Sequence, residues 1–155
     1  MKIISHRGNL NGPDPLTENS PTQIDKCIEK GYDVEVDIWV GVDGGIWLGH
    51  DEPQYSTTED WLLFRFRNLW IHCKNIEAMV YLREHAPHLN YFWHQEDDYT
   101  LTSLGWCWAY PNKPIPKSDP DSFYSLESVC VMPELHNSDP SNFHAICTDY
   151  PERYK

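Results

Sequence analysis

From Tyr32 to Val40 the sequence reads YDVEVDIWV, an alternation of apolar and acidic side chains. On a strand with a side-chain period of two, Val34, Val36 and Ile38 line one face, while Asp33, Glu35 and Asp37 line the other. A face carrying both Glu35 and Asp37 cannot be an ordinary apolar core, because adjacent carboxylates repel and resist desolvation. Two environments tolerate it. One is an edge strand with a solvated acidic face. The other is a shared divalent cation, for which hard oxygen ligands favour Mg²⁺ or Ca²⁺.

Strands and helices alternate around this segment. Lys2 to Ser5 reads as a short buried strand, followed by a Gly-, Asn- and Pro-rich loop from Gly8 to Thr17. The run ENSPTQIDKCIEKG predicts a helix with Ser20 as N-cap, Pro21 at its first position and Gln23 completing a capping box. Gly31 ends it in a left-handed conformation. A turn at Asp43 to Gly45 leads to a strand at Ile46 to Leu48. Leu69 to Cys73 is a third main strand, running into a helix from about Asn75 to Ala86 that Pro87 closes. Tyr91 to Gln95, Trp106 to Tyr110, Val129 to Met132 and Ala145 to Thr148 are further strands, and Pro111 to Ser128 reads as a long surface connection. Repeated strand–helix–strand order predicts an α/β fold, with parallel pairing and helices outside.

The chain of 155 residues suits a single domain spanning 1–155. Its formal charge of −12 disfavours nucleic acid and anionic membrane surfaces as partners. The five cysteines include no CxxC pair, and four of them fall in apolar runs, which reads as buried thiols in a reducing compartment. With neither a signal-peptide pattern nor a membrane-spanning run, the expectation is a cytoplasmic protein.

The remaining chemistry-bearing residues are individually unremarkable. His6 at a strand end, His50 in a loop, Arg7 in an acidic chain and Glu18 before a helix each have a structural explanation. Their order is more specific. His6-Arg7-Gly8, Glu18-Asn19-Ser20, Glu35-Val36-Asp37, His50-Asp51 and the tail ICTDYPERY resemble the glycerophosphodiester phosphodiesterase family. That family has HRG at the end of the first strand, ENT or a relative before the first helix, E-x-D on the second strand, H-D soon after and T-D-x-P at the end.

The resemblance implies metal-assisted phosphodiester hydrolysis on a TIM-barrel-like scaffold. It assigns Glu35 and Asp37 to a divalent cation, His6 and His50 to acid–base catalysis, Arg7 and Lys74 to phosphate binding, and Glu18 to a supporting contact. A small phosphodiester is the implied substrate. The alternative is a non-catalytic relative that binds a phosphorylated ligand in the same pocket. Two departures stand out. In WIHCK, His72 occupies the place of the family's third ligand, usually Glu; as a ligand it would shift preference from Mg²⁺ or Ca²⁺ toward Mn²⁺ or Zn²⁺. Glu96, Asp97 and Glu134 are further candidates for that oxygen. The chain is also far shorter than the ~250 residues of a full barrel. The expectation is a reduced or distorted barrel with several outer helices missing, and a homodimer would cover the faces left bare.

Overall fold

The structure, a computed structural model, describes residues 1–115 and 126–155; the middle of the connection expected from Pro111 to Ser128 lies outside the described residues. Strand β1 (Lys2–His6) leads through a loop to helix α1 (Pro21–Glu29), then strand β2 (Asp33–Val40). A hairpin of β3 (Ile46–Leu48) and β4 (Tyr55–Thr57) precedes the short helix α2 (Glu59–Phe64) and strand β5 (Leu69–Cys73). Helix α3 (Ile76–His85) and strand β6 (Asn90–Phe92) follow. The second half holds β7 (Tyr99–Leu101), β8 (Cys107–Ala109), β9 (Ser128–Val131) and β10 (Ala145–Thr148), with only short 3₁₀ turns beside them among the described residues.

The ten strands among the described residues join one mixed sheet. Parallel pairing runs β8, β9, β10, β1, β2, β5, β6. Along one edge, β2 pairs first with β1 (His6 opposite Glu35) and then with β3 (Ile38 opposite Leu48), while β5 takes its other edge. Among the described residues no ladder joins β6 to β8. Their inner faces meet instead through Phe92 and Trp108, whose ring centroids lie 4.5 Å apart. The Ser103 amide donates to the Tyr91 carbonyl, tying β6 to the following hairpin. Among the described residues the result is a reduced TIM barrel with α-helices over one half only, as expected from the chain length.

The alternation read from the sequence decides what each face buries. Val34, Val36, Ile38, Ile71 and Cys73 pack outward with Ile24 and Cys27 of α1 and Ala78 and Leu82 of α3. Ile4, Trp70, Phe92, Trp108, Val129 and Cys147 point inward and fill the barrel. Rings dominate this interior, with Trp70 edge-on to Trp106 at 5.0 Å. Bulky aromatics fill a small barrel with few side chains, which suits strands of only three to five residues on that side.

Local details differ from expectation at three places. Ser20 caps α1 as expected, accepting from the Gln23 amide, but the Gln23 side chain donates to the Gly8 carbonyl instead of completing the box. It braces the loop after β1 rather than the helix. Strand β6 stops at Phe92, short of the expected Gln95. Helix α2, capped by Thr58, and strands β4 and β7 were not expected at all.

Candidate active site

The carboxyl ends of β1, β2, β5 and β10 form a polar mouth above the aromatic interior. Side chains inward along each strand become polar there: Ile4 gives way to His6, Trp70 to His72 and Cys147 to Asp149. Parallel register brings His6 beside Glu35 and Asp37 beside His72. Glu35 and Asp37 are both buried.

Asp37 is held from several directions. Asn19 Nδ2 donates to Asp37 Oδ2 at 2.9 Å, and the Asp37 amide donates to Asn19 Oδ1 at 2.9 Å. His50 Nδ1 lies 3.1 Å and Arg7 Nε 3.2 Å from the same Oδ2. The other oxygen, Oδ1, is buried without a hydrogen-bond partner, with His72 Nδ1 at 3.1 Å and Lys74 Nζ at 3.5 Å. Glu35 Oε2 accepts from the Arg7 amide at 3.2 Å, and its Oε1 lies 3.8 Å from His72 Nδ1. Glu35, Asp37 and His72 thus converge, each offering one ligand atom within 4.8 Å of the others, close enough to share one ion. Ligands ~2.1 Å from an ion and at right angles sit about 3 Å apart. An orphaned, buried carboxylate oxygen beside a second acid and an imidazole fits a divalent cation.

Electrostatics divide the two acids. Burial and the Asp37 charge push the Glu35 carboxyl above its ordinary range. Burial pushes Asp37 the same way, but the His50 and His72 rings and the Arg7 guanidinium overcome it and hold Asp37 well below the usual carboxylate range.

The histidines have distinct settings. His6 Nδ1 lies 2.8 Å from Asp149 Oδ1. A carboxylate only accepts, so Nδ1 carries the proton and Nε2 is turned toward Glu35 at 4.0 Å. Burial disfavours the charged ring, yet the Asp149 bond and the Glu35 charge raise its pKa above the ordinary value. Asn9 Nδ2 bridges Asp149 and Glu18, at 2.8 and 2.9 Å. At His50, Arg7 Nη2 lies 3.0 Å from Nε2. Arg7 only donates, so Nε2 accepts, leaving the ring proton on Nδ1 toward Asp37. His72 Nε2 faces the His94 carbonyl at 2.7 Å, and its ring stacks on Phe92 at 5.2 Å.

Backbone strain helps aim these groups. Arg7 and Asn19 adopt left-handed φ of 53° and 59°, and the Asn19 amide donates to the Arg7 carbonyl at 2.9 Å. Each non-glycine residue there costs about 1–3 kcal/mol. At Gly49 a Cβ would meet the Glu52 carbonyl oxygen at 2.1 Å, so only glycine permits the turn that presents His50.

His6, Arg7, Glu18, Glu35, Asp37, His50, His72 and Lys74 are therefore gathered at one mouth. Lys74 faces His50 Nδ1 at 3.3 Å as well as Asp37. Glu96 and Asp97 are exposed, and neither they nor Glu134 belongs to the cation cluster found among the described residues. Glu134 instead accepts from the Thr148 hydroxyl and the Asp149 amide. Sequence reasoning missed Asn9, Asn19 and Asp149. The TDYP tail carried the signal for Asp149, since it ends a strand parallel to β1.

No family model matches the chain, and no curated protein matches it in sequence. Among solved structures, a glycerophosphodiester phosphodiesterase from Agrobacterium tumefaciens str. C58 superposes with a TM-score of 0.57 at 15% identity, covering 98% of each chain. Another, from Galdieria sulphuraria, for which the same activity is proposed, has a TM-score of 0.49 at 14% identity, covering 97% of this chain and 94% of its own. The likeness to the Agrobacterium structure is one of fold: the two chains share a barrel.

Proposed function

We propose that this chain is a divalent-cation-dependent hydrolase of phosphodiesters resembling a glycerophosphodiester, with His6 and His50 as its acid–base pair. The observation that carries this reading is the meeting of both imidazoles and Arg7 with the Glu35–Asp37–His72 cluster at one barrel mouth. Glu35, Asp37 and His72 hold the cation, which when bound offsets charge on the phosphate's non-bridging oxygens. Arg7 and Lys74 supply further positive charge for the same oxygens. Glu18 and Asn9 steady Arg7 and Asp149. Asp149 orients His6 so that Nε2 handles the proton, while His50, held by Asp37 at Nδ1, offers Nε2 beside the Arg7 guanidinium. One imidazole takes a proton from the attacking water or substrate hydroxyl, and the other gives one to the leaving oxygen.

A small soluble diester suits the strongly acidic chain better than a nucleic acid, and the buried free thiols support a cytoplasmic setting. The test is hydrolysis of bis(p-nitrophenyl) phosphate by chelator-treated protein resupplied with Mg²⁺, Ca²⁺, Mn²⁺ or Zn²⁺. Cation-dependent turnover is expected, falling about 10²-fold or more in His6→Ala. Phosphate-ester binding without turnover under every cation would leave a binding protein and overturn the enzymatic reading.

A further inference from the structure

Two carboxylate oxygens and one imidazole nitrogen are an unusual set for a hard cation. Ca²⁺ gathers six to eight oxygens, and Mg²⁺ seeks an octahedron of oxygens, several of them water. Imidazole suits Mn²⁺, Fe²⁺, Co²⁺ and Zn²⁺. The nitrogen in this cluster belongs to a ring whose orientation is fixed twice over.

First, His72 Nε2 lies 2.7 Å from the His94 carbonyl, a group that can only accept, so the ring proton sits on Nε2. That leaves Nδ1, which faces the acids, as the nitrogen able to ligate an ion. Second, the ring lies flat against Phe92, with 5° between the planes, and is largely buried. A ligating histidine whose second nitrogen donates to a carbonyl is a preset ligand: the bond fixes the tautomer and raises basicity. Asp37 Oδ1, buried and without a hydrogen-bond partner, lies 3.1 Å from that Nδ1. Nitrogen and orphaned oxygen face a common point.

We infer that His72 Nδ1 makes this centre selective for a first-row transition cation over Mg²⁺ and Ca²⁺. The inference rests on the cation site of the proposed function and adds to it the class of ion. Selection lies in a ligand held rigidly by its own strand β5 and by the carbonyl after β6, not in a mobile side chain that could step aside for water. Replacing the nitrogen with oxygen is therefore expected to change which ion binds, not only how tightly.

The experiment is calorimetric titration of chelator-treated protein with Mn²⁺, Zn²⁺, Mg²⁺ and Ca²⁺, together with the visible spectrum of the Co²⁺ form. One ion per chain is expected, with Mn²⁺ and Zn²⁺ at least ~10-fold tighter than Mg²⁺ and Ca²⁺. His72→Glu is expected to narrow or invert that ratio and to alter the Co²⁺ absorption. His72→Gln, neutral and similar in reach, serves as the second variant should three clustered acids impair folding; it is expected to weaken Mn²⁺ and Zn²⁺ by about 10-fold or more and Mg²⁺ far less. Equal affinity for all four cations in wild type would overturn the selectivity while leaving the cation site intact. So would a ratio unchanged in both variants. Failure of every cation to bind would remove the site itself, and the proposed hydrolase with it.

Discussion

Glu35→Gln separates a metal ligand from a structural ion-pair partner, because the two roles move stability in opposite directions. In the metal-free protein, burial and the neighbouring Asp37 charge raise the Glu35 pKa. A carboxyl whose folded pKa exceeds its unfolded one is destabilising when ionised: the cost is absent at acid pH, grows as pH rises past the unfolded value and is complete above the folded one. At neutral pH, glutamine removes that cost and still offers an oxygen to the Arg7 amide, now at 3.2 Å from Oε2. Metal-free Glu35→Gln is therefore expected to melt at or above the wild-type temperature.

Added cation reverses the order. At one hundred times its dissociation constant, a ligand of the native state contributes about 2.7 kcal/mol. Unfolding entropy of about 2.1 cal/mol/K per residue amounts to roughly 0.33 kcal/mol/K for 155 residues, so wild type should gain about 8 °C. Glu35→Gln, lacking one anionic ligand, should gain little at the same cation concentration. Scanning fluorimetry with chelator and with saturating Mn²⁺ reads both effects. A metal-free variant melting several degrees below wild type, or one that keeps the full cation shift, would refute the reasoning.

Three further outcomes are expected. Asp149→Asn should lower the His6 midpoint followed by NMR, because the Asp149 bond helps raise it; in wild type the protonated pair's stabilisation is full below the free-imidazole pKa and fades as pH rises through the raised value, so an unchanged midpoint would deny the contact its role. Trp108→Ala should cost about 3–5 kcal/mol in urea denaturation, since Trp108 packs with Phe92 and Trp70 inside the barrel; a loss under 1 kcal/mol would mean a loosely filled interior. Native protein at pH 8 should react slowly with a thiol reagent and release five equivalents only on denaturation, as burial pushes Cys73 to about 12 and Cys130 to about 11; rapid native labelling would contradict the buried thiols.

Legibility in the sequence followed the range of the interactions. Strand β2 was readable because its two faces obey a period of two, and α1 because Ser20, Pro21 and Gly31 mark its ends locally. The chain length also foreshadowed how few α-helices stand among the described residues. Asp149 was not readable as His6's partner, since 143 positions separate them and only the pairing of β1 with β10 brings them together. Asn19 reads as a residue in a helix-start motif, whereas its tie to Asp37 needs a left-handed turn with no local signature. His72 was legible as a substitution, but its fixed tautomer depends on a carbonyl 22 positions away. Helix α2 has only six residues, too few for a periodic pattern to emerge.

The cation position tests the whole account most directly, and anomalous diffraction from crystals soaked in Mn²⁺ would measure it. One peak is expected within bonding distance of Glu35 Oε1, Asp37 Oδ1 and His72 Nδ1, with the His6 and His50 rings on the same mouth. A peak elsewhere, or Arg7 occupying that point with no peak at all, would contradict it.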